Sequence, residues 1–369
     1  MFIKRKKVIM TALAAAAVFV LVTQIGASGG TVAAGRAGEF PAFIPMPGVT
    51  PRGVAVDKVG NVYVNAGEMV GGLEYMKIWK FTPDGEMLPD PYADMGQGTI
   101  GGLMVSANGD LYVAMAVGSA RGIWRVDRKG QKELLPGSDQ IFFANGLAFD
   151  DVGTLYITES VSIVSMGPPP VWGMGGLWRI RRGGQAELCL RDPLLTGNGL
   201  LKQPTPMGAN GIAYFHGNLY VTNSEKGTVV RIPVWPDGSL GLPEVWTTLL
   251  DVPESPLAGA PLPVGGDGIA LDVYGNLYVA VVTRAAVVRL NLLDRSQETV
   301  AAFRLSDTLP LYAPFDFPAS IFFGTGKGER TNLFVTNLGV GKLMAPQIPS
   351  WQGPGLVKID AGVPGRPVH

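Results

Sequence analysis

The sequence predicts an all-β chain folded as a six-bladed β-propeller of four-stranded antiparallel blades. Three observations predict it. One strand-turn-strand pattern recurs six times, and 51 Gly and 29 Pro place turn formers at short intervals while only 16% of residues are charged. No helical periodicity of useful length appears after the N-terminal segment.

The repeats justify the elements in order. PRGVAVDKVGNVYVN from Pro51, GGLMVSANGDLYVA from Gly101, NGLAFDDVGTLYITES from Asn145, NGIAYFHGNLYVTNS from Asn210, DGIALDVYGNLYVAV from Asp267 and ASIFFGTGKGERTNLFVTN from Ala319 each hold a short apolar strand, a Gly-containing turn and an alternating aromatic strand. A third alternating strand follows as KIWKFTPDG, GIWRVDRKG, GLWRIRRGG, TVVRIPVWPDG, AVVRLNLLD and GLVKIDAGV. A weaker fourth follows in most copies. The repeat interval runs from 44 residues (Gly102 to Gly146) to 65 (Gly146 to Gly211), the length of a four-stranded blade. Phe40 to Val49 precedes the first full copy and is expected to supply the outer strand of the last blade. That closes the ring and leaves no long sheet edge exposed.

Composition narrows the chemistry. Cys189 is the one cysteine, so an intramolecular disulfide framework is excluded. It reads as a small buried hydrophobe. His216 and the terminal His369 are the only histidines, which excludes a His-rich metal cluster and leaves no Ser-His-Asp geometry. His216 falls in a turn.

The N-terminus reads as an address. Residues Lys4 to Lys7 are followed by a run without charge from Val8 to Ala27, then by the small residues Ala33 and Ala34. Residues 1–34 are expected to be a signal peptide, or alternatively an uncleaved anchor that is the chain's only membrane segment. Residues 35–369 are then a single propeller domain, periplasmic or extracellular. Removal of the leader leaves 26 basic against 30 acidic residues, a net charge of −4. No nucleic-acid footprint of clustered Lys and Arg is present.

Strand polarity sorts residues by face. The positions opening the innermost strands are Arg52, Gly101, Asn145, Asn210, Asp267 and Ala319. The ends of the second strands, on the same face, add Asn65, Glu68, Glu159, Asn223 and Asn337, and these oxygen-bearing side chains are expected to converge on one channel mouth. Asn and Asp are poor strand formers. Their recurrence at one register in three successive blades points to a shared ligand, and two amides with a carboxylate suit a hard cation such as calcium. Loops after the second strands bring Met69, Met76, Met166, Trp172, Met174, Met344 and Trp351, read as an apolar rim over the mouth.

The ordered series ANG at Ala144 to Gly146, ANG at Ala209 to Gly211 and GDG at Gly266 to Gly268 resembles the SMP-30/gluconolactonase family of six-bladed propellers, and more distantly paraoxonases and strictosidine synthase-like proteins. The resemblance spans roughly Pro51 to Gly365. It implies a divalent metal, most simply Ca²⁺, held by Asn145, Asn210 and Asp267, with Asp267 also the proton shuttle. Arg52 stands where the family has a Glu ligand, so Glu159 is the substitute ligand and second candidate base, and Glu68 the next. Arg52 is expected to bind a substrate anion or to pair with Glu68 or Glu159. Asn223, Trp172 and Trp351 are the further substrate-contacting candidates.

The function implied is an exported, metal-dependent hydrolase of lactones or related esters, its substrate apolar or amphipathic. The competing reading is a non-catalytic binding propeller, because LYVTNSEKGTVVRI from Leu219 also resembles the repeats of surface-layer YVTN and NHL-type propellers. A metal-free, strictosidine synthase-like enzyme is a third.

Overall fold

A computed structural model describes residues 40–165, 169–201, 205–303, 315–346 and 351–367. The six blades are four-stranded antiparallel sheets whose innermost strands are Val49–Val56, Thr99–Val105, Ala144–Phe149, Ala209–Phe215, Gly266–Leu271 and Pro318–Phe323. In blade six the strands Pro318–Phe323, Asn332–Asn337 and Gly355–Asp360 are completed by Phe43–Pro45 from the N-terminal side, with Phe43 opposite Val357 and Pro45 opposite Gly355. The segment expected to close the ring does so. A two-stranded hairpin, Ile163–Ser165 with Val171–Trp172, projects from blade three. Among the described residues no helix is long and apolar enough to cross a membrane.

Blades one, three and five share one local device. Asp57, Asp150 and Asp272 end their innermost strands, and each accepts two backbone N–H bonds through Oδ1, from residues two and four places on. This Asx geometry fixes the turn, with Gly60, Gly153 and Gly275 at positive φ behind it. Asp57 and Asp272 also accept from the tyrosine hydroxyls of Tyr63 and Tyr278 on the second strand. Alternate strand residues then pack between blades, where both sheet faces are covered. Tyr156, Tyr278, Phe81 and Phe334 are among the fully buried side chains.

A ring of glycines surrounds the axis. A Cβ on Gly101 would lie 2.5 Å from the Asn145 Cα, one on Gly268 2.7 Å from the Ser320 Cα, and one on Gly211 would overlap the Asp267 carbonyl oxygen. Gly53 and Gly146 are confined in the same way by the next blade. The glycine of each NG or DG pair therefore lets innermost strands approach backbone to backbone. At the sixth joint stands Ser320, whose Oγ accepts from Val54 N at 3.4 Å.

Hydroxyl and amide side chains stitch the joints. Thr158 Oγ1 donates to the Asn210 carbonyl (2.6 Å), Thr222 Oγ1 to that of Asp267 (2.7 Å), and Thr336 Oγ1 to that of Arg52 (2.5 Å). Ser160 and Ser224 reach the carbonyls of Ala209 and Gly266 in the same manner. The backbone at the candidate site is thus held from the neighbouring blade before any ligand arrives.

Candidate active site

A channel cavity of about 400 Å³ follows the axis, lined by all six positions that open the innermost strands: Arg52, Gly101, Asn145, Asn210, Asp267 and Ala319. Strand polarity read from the sequence therefore placed the innermost residues correctly. Its apolar walls include Leu103, Leu147, Ile212, Ile269 and Ile321, one from each of five blades. Beyond them, Arg366 and Pro367 of the C-terminal segment lie at the far end, where Arg366 donates to Asp151 (3.1 Å) and to the Tyr214 carbonyl (3.4 Å).

Asp267 is the chemically distinctive group. It faces the channel and keeps some contact with solvent, yet protein surrounds its carboxyl closely. That desolvation pushes its pKa up to about 7, against the opposing pull of the Arg52 charge and of a hydrogen bond from Asn210. Asn210 is buried and donates Nδ2 to Ser224 Oγ at 3.0 Å, while Asn145 donates to Ser160 Oγ at 3.1 Å. The two serines, in turn fixed on the next blade's carbonyls, orient both amides.

Arg52 has a partner that the sequence reading did not name. Its guanidinium pairs with Glu74 at 2.9 Å, and the other Glu74 oxygen accepts from Thr99 Oγ1 at 2.7 Å. Glu74 sits on the third strand of blade one, Leu73–Phe81, where register with the long second strand brings it back over Gly67. The expected partners Glu68 and Glu159 are engaged elsewhere, Glu68 with Lys77 at 2.6 Å.

Glu159 is corrected as a metal ligand and base. It is 1% exposed and accepts from Phe142 N (2.8 Å) and Trp178 Nε1 (2.8 Å) and pairs with Arg191 (2.8 Å), behind the channel wall. The alternation of the strand is the cause: its neighbours Thr158 and Ser160 face blade four, so Glu159 faces the other way. Glu159→Ala is expected to lower stability by about 3 kcal/mol, because it strips a buried ion pair of one member. Chemical denaturation would measure that loss, with turnover per folded molecule unchanged.

The other second-strand ends also turn away from the channel. Asn65 bridges Gly53 N (2.6 Å) and the Gly101 carbonyl (3.4 Å). Asn223, expected to contact substrate, is fully buried and donates to the carbonyls of Leu194 and Thr196. Asn337 is buried likewise. Trp351 is 5% exposed and stacks on Phe303 at 4.8 Å, and Met76 is core. Trp172 packs toward Phe142 on the blade-three hairpin. Met174 is exposed, and Met166 lies outside the described residues.

Met344 does line the mouth, together with Phe143, Leu201, Met207, Leu262 and Leu343. Leu201, Met207 and Leu262 come from insertions that lead into blades four and five, not from the loops after second strands. Their extra length in the repeat interval was the available signal. The blade-six loop is held down by Asp316, which accepts from Gly341 N (2.6 Å) and Gly353 N (2.7 Å); burial raises the pKa of its carboxyl. Cys189 is half-buried, and burial pushes its thiol up to about 11, so it is not a reactive thiolate.

The donor set does not fit a dedicated calcium site. Among the described residues Asp267 is the one carboxylate lining the channel at the level of Asn145 and Asn210, and the Arg52 charge acts on it. The carbonyls of Asn210, Asp267 and Arg52 already accept threonine hydroxyls. A hard dication takes six to eight oxygens, several of them anionic. Among the described residues no group of three or more His, Cys, Asp or Glu side chains is gathered.

No protein-family profile and no curated protein sequence matches the chain. Solved structures share its fold. A luciferin-regenerating enzyme superposes with a TM-score of 0.59 at 16% identity, covering 86% of this chain and 93% of that one. A gluconolactonase from Xanthomonas campestris gives 0.53 at 17% identity, covering 86% of each chain. Regucalcin, a calcium-binding protein from Agrobacterium tumefaciens, gives 0.55 at 15%, covering 89% and 96%. The six-bladed propeller fold is thus shared with these proteins, in agreement with the fold that the resemblance read from the sequence implies.

Proposed function

We propose that the channel is the active site of a hydrolase acting on lactones or related esters. The observation that carries this reading is Asp267, a channel-facing carboxyl with its pKa near 7 beside a fixed guanidinium. A general base is most effective when its pKa lies near the working pH. Asp267 takes a proton from water, the hydroxyl adds to the ester carbonyl carbon, and negative charge develops on the carbonyl oxygen. Arg52, held by Glu74, supplies positive charge to that oxygen. Collapse breaks the ester C–O bond, and the departing alkoxide takes the proton from Asp267. Leu201, Met207, Leu262, Leu343 and Met344 at the mouth support an apolar or amphipathic substrate. The leader supports export to the periplasm or beyond.

The test is turnover of γ-lactones, δ-lactones and aryl esters by the purified chain between pH 5 and 9, with and without a chelator. Activity is expected to rise with pH to a plateau above about 7 and to survive the chelator. Failure to turn over any of these classes would favour the binding-propeller alternative. Arg52→Gln removes the charge that lowers the Asp267 pKa, so the rising limb should move to higher pH and the plateau rate should fall. A limb that stays in place removes Arg52 from the site.

A further inference from the structure

We propose that the face opposite the channel mouth is a docking surface for a lipid bilayer. Its turn tips carry large apolar side chains where turns ordinarily carry Gly, Asn or Asp. Val152 is 81% exposed, Tyr274 72%, Leu242 90% and Leu293 94%, with Val59 and Trp235 also exposed. Val59, Val152 and Tyr274 occupy the same position in three copies of the Asx turn around the axis. Leu242, Leu293 and Trp235 lie on the outer turns, between third and fourth strands. Exposed Lys58 and Arg295 share these turns with exposed Asp151, Asp237 and Asp294, while exposed Arg128, Lys129, Arg181 and Arg182 stand on the outer turns of blades two and three on the same face. Apolar tips with an interfacial Trp and Tyr, edged by the basic turns of blades two and three, suit a surface that rests in lipid headgroups.

The course of the chain identifies the occupant. Phe43–Pro45 runs antiparallel to Gly355–Asp360, with Pro45 at the Gly355 end beside the mouth. Ala42 accepts from Lys358 N, and Phe40 packs on Phe81 and Phe334 beside the Gly85 turn, so the chain enters the propeller from the far face. Before it come residues 28–39, which can reach roughly 40 Å, and before those the uncharged run Val8 to Ala27 behind Lys4 to Lys7. With the run retained as the uncleaved anchor, the membrane that holds it lies within that reach of the apolar turn tips. The channel mouth then faces away from the bilayer, open to substrate from the aqueous side.

The experiment uses the full chain, residues 1–369, reconstituted with vesicles of phosphatidylcholine and phosphatidylglycerol carrying brominated acyl chains. In a Cys189→Ala background, Leu242→Cys, Leu293→Cys, Leu200→Cys and Val164→Cys each receive an environment-sensitive fluorophore. All four positions are exposed, so the substitutions spare the core. Probes at 242 and 293 should shift to the blue and lose most of their emission to bromine, while probes at 200 and 164, on the mouth side, should not. Quenching on the mouth side, at all four positions or at none overturns the proposal. So does self-association through the far face that leaves 242 and 293 unquenched. Introducing Leu242→Asp with Leu293→Asp should abolish quenching of a Val152→Cys probe; quenching that persists is also contrary. Hydrolysis of soluble substrate is read separately and does not depend on these outcomes.

Discussion

Asp267→Asn is expected to cut lactone or ester turnover by about 10²- to 10⁴-fold, the range a general base commonly supplies, and to make the protein more stable at neutral and alkaline pH. The two effects have one origin. The carboxyl has a pKa near 7 in the folded chain against its ordinary 3.8, so the folded state binds more protons between those values. Stability is therefore lost as pH rises from about 4 through 7, and the loss is complete above that. Asparagine carries no such charge. Its advantage should be absent near pH 4 and approach at most about 4 kcal/mol by pH 8, the equivalent of a shift of that size. Melting curves of both proteins across this range measure the divergence. If they stay parallel, Asp267 is not a desolvated acid and the proposed base is wrong.

Gly211→Ala should be strongly damaging, costing about 3 kcal/mol or more. Its new Cβ would meet the Asp267 carbonyl oxygen, which cannot retreat because the Thr222 hydroxyl and the next strand hold it. Relief requires blades four and five to separate at the axis, which moves Asp267 against Asn210. Denaturation should show the lost stability, and the surviving folded fraction should show a disturbed pH profile as well. The same change at Gly183, at positive φ in an exposed turn with open space around it, would report only backbone preference. A difference of less than about 1 kcal/mol between the two would remove the argument from close approach.

The fold was legible because its units repeat. Six strand-turn-strand copies with a common register identify innermost strands, and polarity then places Arg52, Asn145, Asn210 and Asp267 around one channel. The meaning of the NG and DG pairs was only half visible. Asn or Asp before Gly reads as a bend, whereas here the glycine serves the contact between blades and the preceding residue faces the axis. Second-strand ends misled because face and direction are separate matters: Glu159 and Asn223 lie on the right side of the disc but point between blades. Glu74 was hidden for a related reason, since pairing in a hairpin longer than its counterparts sets its position. Leu201, Met207 and Leu262 of the apolar mouth come from insertions outside the repeat, which no pattern within the repeat describes.

The clasp of blade six bears on how the molecule comes into being. Three residues, Phe43–Pro45, join strands made at the opposite end of the chain. Bringing such distant segments together carries a loop-closure cost of about 5 kcal/mol. The ring also meets there at Ser320, the joint without a glycine. The first five blades can assemble in sequence, each on its predecessor, but the disc stays an open arc until the last strands are synthesised and the N-terminal strand is still free to receive them. Slow refolding, and opening under load or heat, should therefore begin between blades six and one, at the side of the channel that carries Arg52.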